Sequence, residues 1–115
     1  MNNDLFAQAL ACKKASAKLM NITTNIKNRV LEAMAQSLED NADYIIRQNA
    51  IDMDNAKAKG ITGALLDRLE LNENRIKDMA VGLRQIKDLP DPIGEVLAMW
   101  KRPNGLQIGK KRVPL

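Results

Sequence analysis

Along the first 89 positions, apolar residues return every third or fourth place, the spacing that gathers them on one face of a helix. Leu5, Ala9, Cys12, Ser16 and Leu19 form one such stripe, in a helix that Asn3 or Asp4 can cap. "NITT" interrupts it. Thr24 is then placed to cap a second helix, in which Val30, Leu31, Met34 and Leu38 share a face. The pattern weakens from Glu39 to Asn41, where a break is expected, and resumes through Ile45, Ile46, Asn49, Met53 and Ala56. Gly60 suits the left-handed residue that ends this helix. Thr62 starts a short helical stretch through Leu65, Leu66 and Leu69, and Asn72 caps a last helix burying Ile76, Met79, Ala80, Leu83 and Ile86.

Pro90 and Pro92 end the helical run, because proline lacks the amide donor and restricts the residue before it. The period then changes. Residues 93–102 and 106–113 are short segments with β-forming residues around "PNG", and Asn-Gly favours a two-residue turn with positive φ at both positions. The expected fold is mainly α with a C-terminal β-hairpin. A lone ribbon is marginal in water, and one whose second strand stops at "RVPL" leaves an edge exposed. A sequence that closes this way reads as an interrupted domain, prone to self-association through its uncovered helical face and strand edge.

Composition constrains the chemistry. At 115 residues there is room for one small domain. Phe6, Tyr44 and Trp100 are the only aromatics, so the core must come from Leu, Ile, Val, Met and Ala; Met20, Met34, Met53 and Met79 read as core filling. No apolar run is long enough to span a bilayer, and "MNNDLFAQALACKKAS" lacks the layout of a secretory signal. A single cysteine fits a reducing compartment, hence a cytoplasmic location. The absence of histidine removes the imidazole base and, with one cysteine, a structural zinc site.

The net charge of +4 is localised. Lys101, Arg102, Lys110, Lys111 and Arg112 are five of the 18 basic residues, leaving 13 basic against 14 acidic residues in the first hundred positions. Such a cluster can grip phosphates, but no aromatic interleaves with it for base stacking, and a solvated strand face, or an edge that charge protects against aggregation, is the favoured account. "GLQIGKK" has three residues between Gly105 and Gly109 where a phosphate loop needs four, and Lys111 where a hydroxyl belongs. Cys12 lies beside Lys13 and Lys14, which favour a thiolate, yet its place on the apolar stripe points to a buried, inert side chain. Asp52 and Asp54 begin like a calcium loop, but Ala56 and Lys57 break the pattern. Glu39 and Asp43, one helical turn apart, could share a cation or simply face solvent. The residues supply no catalytic, cofactor-binding or metal-binding site of their own.

"KNRVLEAMAQSLEDN" (27–41), "LLDRLELNENRIKDMAVGLRQI" (65–86), "LPDPIGEV" (89–96) and "RPNGLQIGKKRVPL" (102–115) resemble the N-terminal part of γ-glutamyl phosphate reductase. That family, also called glutamate-5-semialdehyde dehydrogenase, is part of the aldehyde dehydrogenase superfamily. The resemblance implies an N-terminal fragment of an α/β fold, with 1–89 a helical segment and 90–115 a hairpin leading into an NADP-binding Rossmann-like domain beyond Leu115. It implies NADPH-dependent reduction of L-glutamyl 5-phosphate to L-glutamate 5-semialdehyde in proline biosynthesis, through a cysteine thioester. It also implies a homo-oligomer with a small-molecule substrate, not a nucleic-acid or membrane partner. The family's nucleophile falls past the last residue, so Cys12 does not inherit it. A fragment of this kind is expected to be inactive and not to bind NADPH. A free-standing helical adaptor, its basic hairpin binding an acidic partner or nucleic acid, is the alternative.

Overall fold

The computed structural model describes residues 3–114, excluding the side chain of Asn3. Five helices precede two strands: α1 Asn3–Leu19, α2 Thr24–Asp40, α3 Ala42–Ala58, α4 Gly63–Leu69, α5 Glu73–Asp88, β1 Val96–Lys101 and β2 Gln107–Lys111. The mainly helical chain with a terminal hairpin is as the periodicity indicates. It divides into two compact units, one from Asn28 to Leu89 and the other joining the residues up to Lys27 with those from Pro90 onward.

In the helical unit, α3 packs on α4 and α5. The core is small and made mostly of short side chains: Ala35 and Ala80 are fully buried, Ala56 nearly so, and Ile76 is 1 % exposed. Short side chains let helix backbones approach closely. Asn49 adds a polar clasp. Its amide nitrogen donates to the Leu69 carbonyl at 2.9 Å, and its oxygen accepts from the Leu71 amide at 2.7 Å. The side chain thereby ties α3 to the segment leaving α4. Asn72 caps α5 as expected, accepting from the Arg75 amide at 2.9 Å. The Arg75 guanidinium reaches back to the Asp67 carbonyl and carboxylate and to the Glu70 carbonyl. Gly60 ends the turn after α3 with φ +80°, a region other residues rarely enter.

Several expected burials do not occur. Met34, Met79 and Ile86 are about half exposed, and only Met53 of the methionines in this unit is partly covered. Periodicity identifies residues that share a face, but α2 and α5 each carry more apolar surface than their neighbours in the unit can cover.

In the other unit, α1 buries none of its large side chains; Phe6 is 71 % exposed, and Leu5, Leu10, Leu19 and Met20 are exposed too. The start of α2 differs by one residue from expectation. Thr23 is the cap, its hydroxyl accepting from the Ile26 amide at 3.3 Å. The Thr24 hydroxyl instead donates to Asp91 Oδ2 at 2.8 Å, as does Lys27 Nζ at the same distance. Asp91 Oδ1 accepts from the Ile93 amide at 3.0 Å. One carboxylate therefore latches the proline-bounded segment to the first turn of α2.

The hairpin is antiparallel, pairing Lys101 with Gln107, Trp100 with Ile108, Met99 with Gly109 and Ala98 with Lys110, with a bulge between Val96 and Ala98. The regular strands are shorter than 93–102 and 106–113, although backbone bonds between Arg112 and both Gly94 and Glu95 continue the pairing. The turn has three residues and not two. Gly105 donates to the Arg102 carbonyl at 2.9 Å, and Arg102 donates to the Leu106 carbonyl at 2.8 Å. Gly105 has φ +89°, while no non-glycine residue among those described has positive φ. Pro103 decides this: its fixed φ presets a type I turn, and a type I turn followed by a left-handed glycine makes a three-residue loop.

Candidate functional site

The sequence candidates do not converge. Cys12 is exposed on α1, which corrects the expectation of a buried thiol: its apolar stripe has no cover within its unit. Asp52 and Asp54 lie on the exposed side of α3, where a continuous helix replaces the sharp loop that calcium binding requires. Glu39 is engaged by Arg84, so it does not share a cation with Asp43. Among the described residues, no group of three or more His, Cys, Asp or Glu could hold a metal ion. Gly105 lies in the hairpin turn and Gly109 within β2, opposite Met99. A Cβ at Gly109 would come within 3.2 Å of Met99 Cγ and 3.3 Å of the Ala98 carbonyl oxygen, so close strand approach accounts for that glycine.

The basic cluster is strand-borne. Lys101 ends β1, Lys110 and Lys111 end β2, and Arg112 is paired with Glu95 at 2.8 Å. Successive strand residues point to opposite faces, so Lys110 and Lys111 are divided between the two sides of the ribbon. Among the described residues all five helices precede both strands, an order unlike the strand, glycine turn and helix N-terminus of a dinucleotide-binding unit.

What the structure does assemble is a charged bridge beside an apolar groove, both between α2 and α5. Arg84 binds Glu39 through two nitrogens at 2.7 and 2.8 Å and Glu32 through Nε at 3.0 Å; Lys87 also binds Glu32, at 2.7 Å. Lys87 and then Arg84 hold the Glu32 carboxyl below its usual range, and Arg84 does the same for Glu39. Glu39 and Glu32 in turn keep Arg84 charged, and Glu32 raises Lys87. The bidentate fork fixes orientation as well as distance. This network was not singled out from sequence. Its signal was the seven-residue spacing of Glu32 and Glu39 and the three-residue spacing of Arg84 and Lys87, which put each pair on one helical face.

The groove has a volume of about 840 Å³. Val30, Ala33, Met34 and Leu38 of α2 face Met79, Leu83 and Ile86 of α5, with Ser37 the single polar side chain and Gly82 in the wall. Such a lining can bind apolar surface, and it places no acid or base beside its one hydroxyl, Ser37.

Asp91 is the most perturbed carboxyl. Lys27, then the Ile93 amide, then the Thr24 hydroxyl lower it to about 2. Its folded value lies below the unfolded one, so the latch contributes stability that is complete above about pH 4 and fades as pH falls toward 2. Acid titration of the Asp91→Asn variant is expected to show a flatter loss of stability between pH 4 and 2 than the parent. Equal slopes would remove the latch from the account.

Comparison with solved proteins gives this architecture a class: it is that of the N-terminal part of an oxidoreductase. The chain superposes with a TM-score of 0.94 and 36 % identity on a crystal structure of γ-glutamyl phosphate reductase from Thermotoga maritima, covering 97 % of this chain and 27 % of that one. A γ-glutamyl phosphate reductase structure from Saccharomyces cerevisiae matches with a TM-score of 0.76 and 30 % identity, over 84 % of this chain and 25 % of that one. Curated proteins agree. The γ-glutamyl phosphate reductase of Caldicellulosiruptor bescii is 54 % identical over 113 residues, covering 98 % of this chain and 27 % of its own length. That of Halothermothrix orenii is 57 % identical over 108 residues, covering 94 % of this chain and 26 % of its own length. No family model matches. The resemblance to γ-glutamyl phosphate reductases thus holds along nearly the whole chain, which spans about a quarter of the length of these relatives. No helix among the described residues is long and apolar enough to cross a membrane.

Proposed function

We propose that this polypeptide is the N-terminal part of a γ-glutamyl phosphate reductase, which reduces L-glutamyl 5-phosphate to L-glutamate 5-semialdehyde with NADPH and releases phosphate, a step of proline biosynthesis. The carrying observation is 54 % identity to one such reductase across 98 % of the chain. The helical segment 1–89 and the hairpin 90–115 serve as scaffold, leading into an NADP-binding Rossmann-like domain in the remainder of the protein. The nucleophile and the cofactor contacts belong to that remainder, and no residue here takes a catalytic role. The working enzyme is a cytoplasmic homo-oligomer. The adaptor reading has less support, because the lysines at the end of β2 are shared between two faces of a narrow ribbon.

The test is a pair of assays in the reverse direction, following NADP reduction by absorbance with the semialdehyde and phosphate as substrates. The purified 115-residue polypeptide is expected to give no turnover. A chimera that joins it to the remaining three-quarters of the Caldicellulosiruptor bescii relative is expected to turn over. Activity in the isolated polypeptide, or a folded but inert chimera, would count against the reading.

A further inference from the structure

We infer that the α2/α5 groove is the seat on which the remainder of a longer reductase docks, through apolar surface; this rests on the function proposed above. Val30, Met34, Met79 and Ile86 are each about half exposed along one continuous channel. An open apolar channel of this size is uncommon on a soluble domain and marks a contact surface. Three observations select the occupant. The same fold exists in a solved reductase chain of which it makes up only 27 %, so most of that polypeptide is available to cover the channel. Next, Glu32, Glu39, Arg84 and Lys87 bridge the two helices and compensate one another, leaving no unpaired charge in the network to select a basic or acidic peptide. Finally, the lining has one polar side chain, Ser37, so specificity must come from shape against a packed apolar face. The ion pairs hold the two walls at a fixed spacing before docking, which reduces the ordering that association would otherwise require.

The experiment uses the chimera with the Caldicellulosiruptor bescii remainder and the 115-residue polypeptide side by side. Amide hydrogen exchange over residues 30–38 and 79–86 is expected to slow at least tenfold in the chimera relative to the polypeptide. Met34→Asp is expected to lower the chimera's thermal midpoint by roughly 5–10 °C, and Ile86→Ala by less, while neither moves the isolated polypeptide by more than roughly 2 °C. Unchanged exchange, or variants that are neutral in the chimera, would overturn the inference. So would protection that disappears on dilution along with a chimera dimer, because the groove would then serve a second copy. A chimera that protects the groove yet shows no turnover refutes the reductase reading and leaves the docking seat standing. A chimera without cooperative melting refutes both.

Discussion

Replacing Asn49 with alanine is expected to lower the stability of the helical unit by about 2–4 kcal/mol, since it removes one side chain that satisfies two backbone groups. Asn49 is nearly buried, and its amide spans from α3 to the Leu69 carbonyl and the Leu71 amide. Alanine can neither donate nor accept there. Both backbone groups would have to find water in a site that packing largely closes to it, and a buried unpaired group costs more than a made bond contributes. Asn49→Asp is the informative companion. An aspartate can still accept from Leu71 but cannot donate to Leu69, so it should recover part of the loss at most. Chemical denaturation of the three proteins, compared at constant m-value, measures both differences. A change of less than about 0.5 kcal/mol for the alanine variant would mean that the segment after α4 is held by other contacts.

Ile76→Ala is the second large effect, with an expected loss of about 2–5 kcal/mol for the removed apolar volume and the cavity left behind. Ile76 is the largest fully buried side chain among those described, and the rest of the buried apolar core is alanine. Alanines have nothing to repack with, so the upper half of that range is expected. Ile76→Val should cost about 0.5–1.5 kcal/mol, which separates a packing effect from a general intolerance at the site. Thermal and denaturant melts of both variants decide the point. Equal losses for valine and alanine would show that shape, not volume, governs this position.

The elements themselves were legible because their signals are local. Asn72 caps α5, Gly60 takes a left-handed conformation after α3, and the weak stretch from Glu39 to Asn41 is where α2 gives way to α3. The hairpin was legible too, but its turn type was not. Asn-Gly and Pro-Asn favour different turns, and here proline, one residue earlier, prevails. Burial was the least legible quantity. Val30, Met34, Met79 and Ile86 have core spacing and stand half open, while Ala35 and Ala80, with far less apolar weight, are the fully buried ones. Hydrophobic period reports which residues look the same way and is silent on what they look at. The Arg84 bridge escaped for a related reason: its partners lie 45 and 52 positions away, and no local pattern in the chain joins them.

Resemblance supplied what the residues could not. Motifs such as "DPIGEV" and "RPNGL" carry no chemistry of their own, yet they fall on the Asp91 latch and the three-residue turn. Their physical roles are to hold the segment after α5 to Thr24 and Lys27 and to reverse the chain into β2. That explains how a stretch without an acid, base or nucleophile in place can still be distinctive.

The latch has a temporal consequence. Asp91 closes onto Thr24 and Lys27 across more than sixty intervening positions, whereas the stretch from Asn28 to Leu89 is continuous. During synthesis, which runs from the N-terminus, the continuous stretch can condense as soon as it clears the ribosome. The unit that includes α1 must wait for the proline-bounded segment to arrive. In that interval Thr24 and Lys27 stand without the carboxylate that later joins them, so this unit is the last to close.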